Sequence, residues 1–162
     1  SARLASRDLN QIVHEALVLF REAHPGIRFQ FEAGTIPSLE LDQDQIRRVL
    51  MNLLDNAVAA VDGAGEIRLA TEHDLARRVV TLEVADDGCG LASEIRTKIF
   101  EPYFSTKENG TGLGLTIVSQ IVEDHGGYIR AVPNAPKGTR FTIELPVRVE
   151  VVAEEARKAV HL

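Results

Sequence analysis

In some stretches of the chain, hydrophobic residues recur every three or four positions, which is the spacing of an amphipathic helix. The first stretch runs from Leu9 to Phe20, and His24-Pro25-Gly26 ends it. The second is a long helix to about Val61, with Asp42 as its N-cap and Gln45 in the position of a capping box. Two shorter helices are predicted, one near Ser93 to Ile99 and one from Leu115 to Val122 that Gly126-Gly127 caps.

In other stretches apolar and polar residues alternate, as they do in strands with one buried face. The alternating segments are Ile27 to Glu32, Leu39 to Leu41, Glu66 to Thr71, Arg78 to Asp86, Tyr128 to Val132 and Thr139 to Leu145. The third and fourth are predicted to be neighbours, with the charged Glu72 to Arg77 as their turn. The last two are predicted to form a hairpin across the turn from Asn134 to Gly138.

Composition narrows the class of protein. With 162 residues, of which 44% are hydrophobic and 26% charged, the chain fits one globular domain with a core of ordinary size. The net charge of −6 argues against a nucleic-acid surface, which normally carries a basic patch. The single cysteine, Cys89, excludes an internal disulfide and a cysteine-based zinc site, and it is interpreted as a small filler between glycines rather than a nucleophile.

The ends of the chain carry less information. No apolar run approaches the roughly 18 residues that suggest a membrane span. Because the chain starts at Ser1 without a methionine, we expect it to be part of a longer protein. The charged tail from Arg148 to Leu162 is weakly helical, and no function is assigned to it.

The long second helix carries two asparagines on one flank. Its apolar stripe consists of Ile46, Leu50, Leu53, Ala57 and Val61. Asn52 and Asn56 are four positions apart, so they stack beside that stripe, and their amide oxygens could reach a metal ion or a phosphate. The alternative is a pair of solvent-facing asparagines.

Asp86 ends a strand in register with its apolar positions, so its carboxylate is predicted to face the core. There it could accept a hydrogen bond from the exocyclic amine of a flat base, which Gly88 and Gly90 would let the backbone approach closely. The alternative is an Asp-Asp-Gly turn after a strand. Thr139 also faces the buried side of its strand, where its hydroxyl could assist Asp86 through water or simply begin the strand.

A glycine-rich segment, Gly110-Thr111-Gly112-Leu113-Gly114, directly precedes the helix that begins at Leu115. Its backbone amides and the helix N-terminus offer a seat for phosphates, and Lys107 could meet the terminal phosphates when this flap closes. A merely flexible loop is the weaker alternative, because three alternate glycines cost chain entropy. Neither glycine cluster completes the dinucleotide motif, and no P-loop motif occurs. The neighbouring Phe100, Pro102, Tyr103 and Phe104 either pack the base of the flap into the core or stack on a base.

Four segments, in this order, resemble the catalytic and ATP-binding domain of bacterial sensor histidine kinases, within the gyrase, chaperone and mismatch-repair ATPase superfamily. They are Asn52 to Asn56, Asp86 to Gly90, Phe100 to Phe104 and Gly110 to Leu115, which that family calls the N, G1, F and G2 boxes. Each segment is weak alone, but together they are highly specific, and the match spans roughly residues 8 to 147. The compact Phe-Ser-Thr-Lys flap most resembles the nitrogen-regulation branch.

The resemblance implies a role for each matching residue. Asn56 would be the magnesium ligand, Asp86 the adenine reader, and Asn52 and Lys107 would lie near the phosphates. The residues assigned to Mg-ATP are Asn52, Asn56, Asp86, Gly88, Gly90, Lys107, Gly110, Thr111, Gly112, Leu113, Gly114, Leu115 and Thr139. The implied fold is an α+β, two-layer α/β sandwich of the Bergerat type, a mixed sheet with helices on one face. Residues 1–147 would form this domain and 148–162 a tail.

The family accepts phosphate on a histidine in a separate, dimerising helical hairpin, and no such hairpin is evident here. His14-Glu15 resembles the acceptor pair only superficially, because one short helix cannot supply the paired long helices of the family. Asn52 stands where the ATP-hydrolysing members carry a glutamate base, which favours transfer to a protein side chain over hydrolysis.

These implications describe one part of a larger kinase. The domain would be cytoplasmic and monomeric, within a homodimeric parent that the inner membrane can anchor. Its partners would be the parent's histidine domain and, indirectly, a response regulator. Two other functions stay open: a serine kinase of the anti-sigma type, and a nucleotide-binding regulatory module without transfer activity.

Overall fold

A computed structural model describes residues 2–101 and 114–148. The helices are α1 (Leu9–Ala23), α2 (Gln43–Val61), α3 (Ser93–Arg96) and α4 (Gly114–Asp124). The strands are β1 (Ala5–Arg7), β2 (Ile27–Glu32), β3 (Leu39–Leu41), β4 (Gly65–Asp74), β5 (Val79–Asp86), β6 (Tyr128–Pro133) and β7 (Thr139–Pro146). The predicted order of elements is confirmed over these residues, except that β1 was not foreseen.

A five-stranded mixed sheet, in the order β2-β4-β5-β7-β6, forms one layer. β2 runs parallel to β4, and the other neighbouring strands are antiparallel. β1 and β3 pair separately. α1, α2 and α4 form the second layer, with their apolar residues buried against the sheet. The predicted α+β sandwich is therefore confirmed.

α2 lies at the centre of the helical layer. The whole predicted stripe of this helix is at most 8% exposed. α1 packs beside it and buries six apolar residues, so this first helix shares the core of the sheet and α2. None of the helices in the described ranges combines the length and hydrophobicity that crossing a bilayer requires.

The start of α2 departs from the predicted capping box. Asp42 is the N-cap, and its Oδ1 accepts the backbone N–H of Gln45 at 3.1 Å. The Asp42 backbone N–H, however, donates to Nε2 of His125 at 3.0 Å. Gln45 Oε1 is buried with no hydrogen-bond partner among the described residues. This half of the prediction was wrong, because His125, directly after α4, takes the amide that Gln45 would have bound.

Two further boundaries differ from the sequence pattern. α3 ends at Arg96 rather than Ile99, because the chain tightens into a turn in which the Lys98 N–H donates to the Ile95 carbonyl oxygen at 2.9 Å. β4 continues to Asp74 and shortens the predicted turn before β5. The predicted glycine cap of α4 is confirmed: Gly126 has φ +74°, and the N–H of Gly127 donates to Val122 O at 2.9 Å.

Candidate functional site

Asp86 is a buried carboxylate at the end of β5. It is 3% exposed, as the alternation along the strand predicts. Its Oδ1 accepts the backbone N–H of Gly88 at 2.9 Å and, at 3.4 Å, that of Thr139 on β7. It forms no ion pair with the described residues. Backbone amides therefore orient this carboxylate without neutralising it.

Burial raises the pKa of the Asp86 carboxyl above its ordinary value, because the charged form loses its hydration. The two backbone N–H bonds act in the opposite direction, and the nearby charge of Asp87 adds to the rise. A buried carboxylate without a cation is costly in the free domain and is typical of functional sites. A ligand that brings a hydrogen-bond donor would reduce that cost.

Close packing around Asp86 requires glycines. A Cβ on Gly88 would overlap the Ala60 carbonyl at the end of α2, and one on Gly138 would overlap the Asp86 carbonyl. Gly138 also has φ +102°, and Gly90 has φ +74°, which side chains rarely adopt. Gly88 was predicted to give a base room. In the structure its lack of a side chain also lets the turn after β5 touch α2.

The sequence predicted the turn between β6 and β7 but not its contact with Asp86. There Asn134 Nδ2 donates to the Asp86 carbonyl oxygen at 2.9 Å, and Gly138 packs against the same carbonyl. Asp87 was also missed: its Oδ1 accepts the Glu66 N–H at 2.9 Å and ties the turn to β4. The sequence did place Asn134 and Gly138 at the ends of a hairpin turn, but only the pairing of β5 with β7 brings that turn to Asp86.

One flank of α2 connects the start of α4 with the turn after β5. Asn52 Nδ2 donates to the Gly114 carbonyl oxygen at 3.4 Å, in the first turn of α4. Two helical turns further on, the Ala60 carbonyl accepts the N–H of Cys89 at 3.3 Å. Asn56 lies between these points. Both asparagines are half-buried rather than solvent-facing.

Two predictions about neighbouring residues need adjustment. Thr139 is 4% exposed, and its direct contact with Asp86 comes from its backbone N–H; assistance by its hydroxyl through water stays a prediction. Cys89 is exposed rather than filling a space between its glycine neighbours.

The base of the predicted flap packs into the core. The Phe100 ring lies 6.2 Å from that of Phe141 in an edge contact, and its carbonyl accepts the Thr116 hydroxyl at 3.0 Å. For Phe100 this favours packing over stacking on a base, and Leu115 packs against the same core. The other flap and phosphate residues, Pro102, Tyr103, Phe104, Lys107, Gly110, Thr111, Gly112 and Leu113, lie outside the described residues.

Residues 2–101 and 114–148 contain no group of three or more His, Cys, Asp or Glu side chains that could hold a metal ion. Asn52 and Asn56 offer neutral amide oxygens instead. Mg²⁺ is commonly bound through one or two protein oxygens together with phosphates and waters. These two amide oxygens fit a metal ion that is bound together with the phosphates of a nucleotide.

Comparison with known families identifies the architecture that surrounds Asp86 and the α2 flank. The profile described as "Histidine kinase-, DNA gyrase B-, and HSP90-like ATPase" matches residues 41–149, from the start of α2 through β7. The chain belongs to this ATPase family. The ATP-binding domain predicted from the four segments is thereby confirmed at the level of the family.

Individual relatives narrow the assignment. The chain is 43% identical to the sensory histidine kinase/phosphatase NtrB of Rhodobacter capsulatus, over 77% of the chain and 38% of NtrB. It is 38% identical to the sensor histidine kinase ZraS of Escherichia coli, over 90% of the chain and 32% of ZraS. The chain thus spans about a third of the length of these curated relatives. The predicted likeness to sensor histidine kinases is confirmed, and 35% identity to the nitrogen regulation protein NtrY of Azorhizobium caulinodans, over 90% of the chain and 19% of NtrY, supports the nitrogen-regulation branch.

Solved structures agree with this assignment. The catalytic domain of histidine kinase ThkA superposes with a TM-score of 0.82 at 36% identity, covering 90% of this chain and 96% of that domain. ThkA in complex with the response regulator protein TrrA gives a TM-score of 0.78 at 34% identity, covering 91% of this chain and 42% of that one. The fold is that of a histidine kinase catalytic domain.

Proposed function

We propose that this domain binds Mg-ATP and transfers the γ-phosphate to a histidine on a separate dimerisation domain of the same protein. The observation that carries the proposal is Asp86, a carboxylate that is 3% exposed and held through Oδ1 by backbone amides alone among the described residues. Oδ2 is then the oxygen assigned to the exocyclic amine of adenine. A hydrogen bond there would offset the cost of burying the charge.

The flank of α2 that carries Asn52 and Asn56 suggests how the nucleotide is oriented in the site. The adenine would lie at Asp86, near Ala60, and the phosphates near Asn52 and the N-terminus of α4, whose partial positive charge favours anions. The eight residues from Asn52 to Ala60 span about 12 Å of helix, which an extended nucleoside triphosphate can bridge. Asn56, between them, would hold the Mg²⁺ ion, which neutralises phosphate charge when bound. Lys107 is proposed to add a further positive charge.

Transfer is favoured over hydrolysis because Asn52 is an amide. An amide cannot take a proton from an attacking water as a carboxylate base can. The domain would therefore act by position and charge, and the nucleophile would come from elsewhere. We do not assign this role to His14, because it lies on α1, a helix packed into this domain against α2 rather than in a separate hairpin.

The names of the relatives favour a histidine over a serine as the acceptor, since NtrB and ZraS are both sensor histidine kinases. ThkA was solved with a response regulator, and we infer that such a protein takes the phosphate in the next step here too. ATP as the substrate places the proposed reaction in the cytoplasm.

The transfer itself is tested with the domain, labelled ATP and the helical histidine-bearing segment of its own parent protein. The expected product is phosphate on that segment that is lost in acid and stable in base. Acid-stable phosphoserine on a partner would support the anti-sigma type of kinase instead. Nucleotide binding with no phosphorylated product would support a regulatory binding module.

Asn56→Ala tests the metal assignment. Without the amide oxygen, the affinity for ATP is expected to become the same with magnesium as with a chelator present, as measured by calorimetry. Asp55→Ala is the matched control, because Asp55 is the exposed neighbour on the same helix and should leave the magnesium dependence intact. Full magnesium dependence in Asn56→Ala would remove the role given to this residue.

A further inference from the structure

His125 is a buried histidine at the C-terminal end of α4, outside the four segments that carry the nucleotide site. It is 2% exposed. Its Nδ1 lies 2.8 Å from the Ile121 carbonyl oxygen, and its Nε2 lies 3.0 Å from the backbone nitrogen of Asp42. A carbonyl only accepts and a backbone N–H only donates. Both contacts are therefore satisfied by a neutral ring with its proton on Nδ1.

The bond to Asp42 completes the cap of α2 from another helix. In a capping box the N-cap backbone N–H is bound by the side chain three residues later, which here is Gln45. The imidazole of His125 occupies that role, and Gln45 Oε1 is left without a partner among the described residues. The N-terminal cap of α2 thus depends on where α4 ends.

The same two helices are bonded again where the phosphates are proposed to lie, through Asn52 and Gly114. Asp42 precedes Asn52 by ten residues and Gly114 precedes His125 by eleven, so the two helices run in opposite directions between the bonds. At 1.5 Å per residue these intervals are about 15 and 16.5 Å, which agree within one residue. Two bonds at matched spacing resist sliding of one helix along the other.

The backbone of His125 is itself held in place. Gly126 and Gly127 close the end of α4, and Arg148 Nη2 donates to the His125 carbonyl oxygen at 3.3 Å. The guanidinium of Arg148 also lies at the C-terminus of α4, where a positive charge is favourable. These contacts fix the backbone of His125 and hence the position of its imidazole relative to Asp42.

We infer that His125 is a positioning residue for nucleotide binding: its bond to the cap of α2 sets the register that places the first turn of α4 beside Asn52. The inference rests on the proposed function, because its consequence is expressed in the affinity for Mg-ATP. The bond itself joins two residues of this chain, so it can be tested without nucleotide.

The tautomer is the first test, and it needs no nucleotide. In ¹⁵N-detected NMR of the wild-type domain, His125 is expected to show a protonated Nδ1 and an unprotonated Nε2. A proton on Nε2 would face the Asp42 N–H with a second donor and would overturn the inference.

The second test compares two conservative variants by calorimetry with Mg-ATP. His125→Asn keeps an amide where Nδ1 lies, which can donate to Ile121, but is too short to reach Asp42. His125→Gln keeps an acceptor where Nε2 lies. We expect His125→Asn to weaken binding roughly tenfold, which corresponds to about 1.4 kcal/mol, and His125→Gln to remain within about threefold of the wild type. Equal affinities of the two variants would overturn the inference.

Thr71→Val is the control for a general loss of stability. Thr71 is 5% exposed; its hydroxyl donates to Asn10 Oδ1 at 2.6 Å and accepts the Gly34 N–H at 3.0 Å, on a part of the domain that carries none of the nucleotide residues. The variant therefore loses two part-buried hydrogen bonds, neither of which involves α2 or α4, and its affinity for Mg-ATP should stay within about twofold of the wild type. A loss equal to that of His125→Asn would make the effect structural and overturn the inference. A wild-type domain that binds no Mg-ATP would instead overturn the proposed function, and this inference with it.

Discussion

Asp86 and Glu144 are both buried carboxylates of the central sheet, 3% and 7% exposed, yet they are held in opposite ways. Glu144, on β7, receives both terminal nitrogens of Arg77 at 2.6 and 2.8 Å, and Arg130 at 3.1 Å. Asp86, on the neighbouring strand, receives backbone amides. One carboxylate is paired with cations and the other is not.

The pKa values shift accordingly. The hydrogen bond from Arg77 lowers the pKa of Glu144 below its ordinary value, whereas burial raises the pKa of Asp86. A paired carboxylate completes its interactions within the fold and leaves nothing to bind a ligand. An unpaired one destabilises the free domain and gains from a ligand that donates a hydrogen bond. The difference separates a carboxylate that supports the sheet from one that we assign to recognition.

Removing the glycine beside Asp86 is expected to have the largest effect. In Gly138→Ala the side chain would overlap the Asp86 carbonyl at φ +102°, so we expect a loss of about 3 kcal/mol in the free energy of unfolding by urea. Gly63→Ala is the matched control: φ is +91°, but no atom lies within 4 Å of the added carbon, so only strain of about 1 kcal/mol is expected. Equal losses would show that contact with Asp86 is unimportant.

Asp86→Asn is expected to separate recognition from stability. The asparagine Oδ1 can accept the same two N–H groups, but its NH₂ would face the adenine amine with a second donor. ATP affinity should therefore fall about tenfold or more in calorimetry, in line with the 1.5–3 kcal/mol of a hydrogen bond to a charged group. The free energy of unfolding at pH 7 should not fall. Unchanged affinity would remove the assignment of Asp86.

Glu144→Gln is expected to give the opposite pattern. Losing the charge weakens the pairing with Arg77, whose side chain is 57% exposed, so solvent screening limits the loss of unfolding free energy to about 1 kcal/mol. ATP affinity should be unchanged. A fall in affinity as large as that of Asp86→Asn would show that the two carboxylates do not differ in role.

The smallest effects concern pH. Because burial raises the pKa of Asp86, the ionised form of this carboxyl destabilises the folded domain. The free energy of unfolding of the wild type should therefore rise toward that of Asp86→Asn as pH falls toward the ordinary aspartate pKa of about 3.9. Because Arg77 lowers the pKa of Glu144, the advantage of the wild type over Glu144→Gln should persist to the ordinary glutamate value of about 4.3 and disappear only below it. Urea unfolding across this range checks both. Convergence of both pairs at the same pH would contradict the opposite shifts.

Much of the candidate site could be predicted because its residues stand at regular positions in helices and strands. Alternation along β5 predicts the burial of Asp86, and the spacing along α2 places Asn52 and Asn56 on one flank. Asn134, Gly138 and His125 could not be found in this way. The side chain of Asn134 binds a carbonyl 48 residues earlier in the chain, and that of His125 binds a backbone N–H 83 residues earlier. No local period carries that information.

The sequence by itself determined which face of each helix and strand is buried, since that depends on repeats of two and about 3.6 residues. It also determined the family, through the order of four short segments. The tertiary structure decided which groups meet: that backbone amides hold Asp86 while arginines hold Glu144, and that His125 rather than Gln45 binds the cap of α2. Those choices depend on how strands pair and helices pack, because each joins elements that are neighbours only after folding.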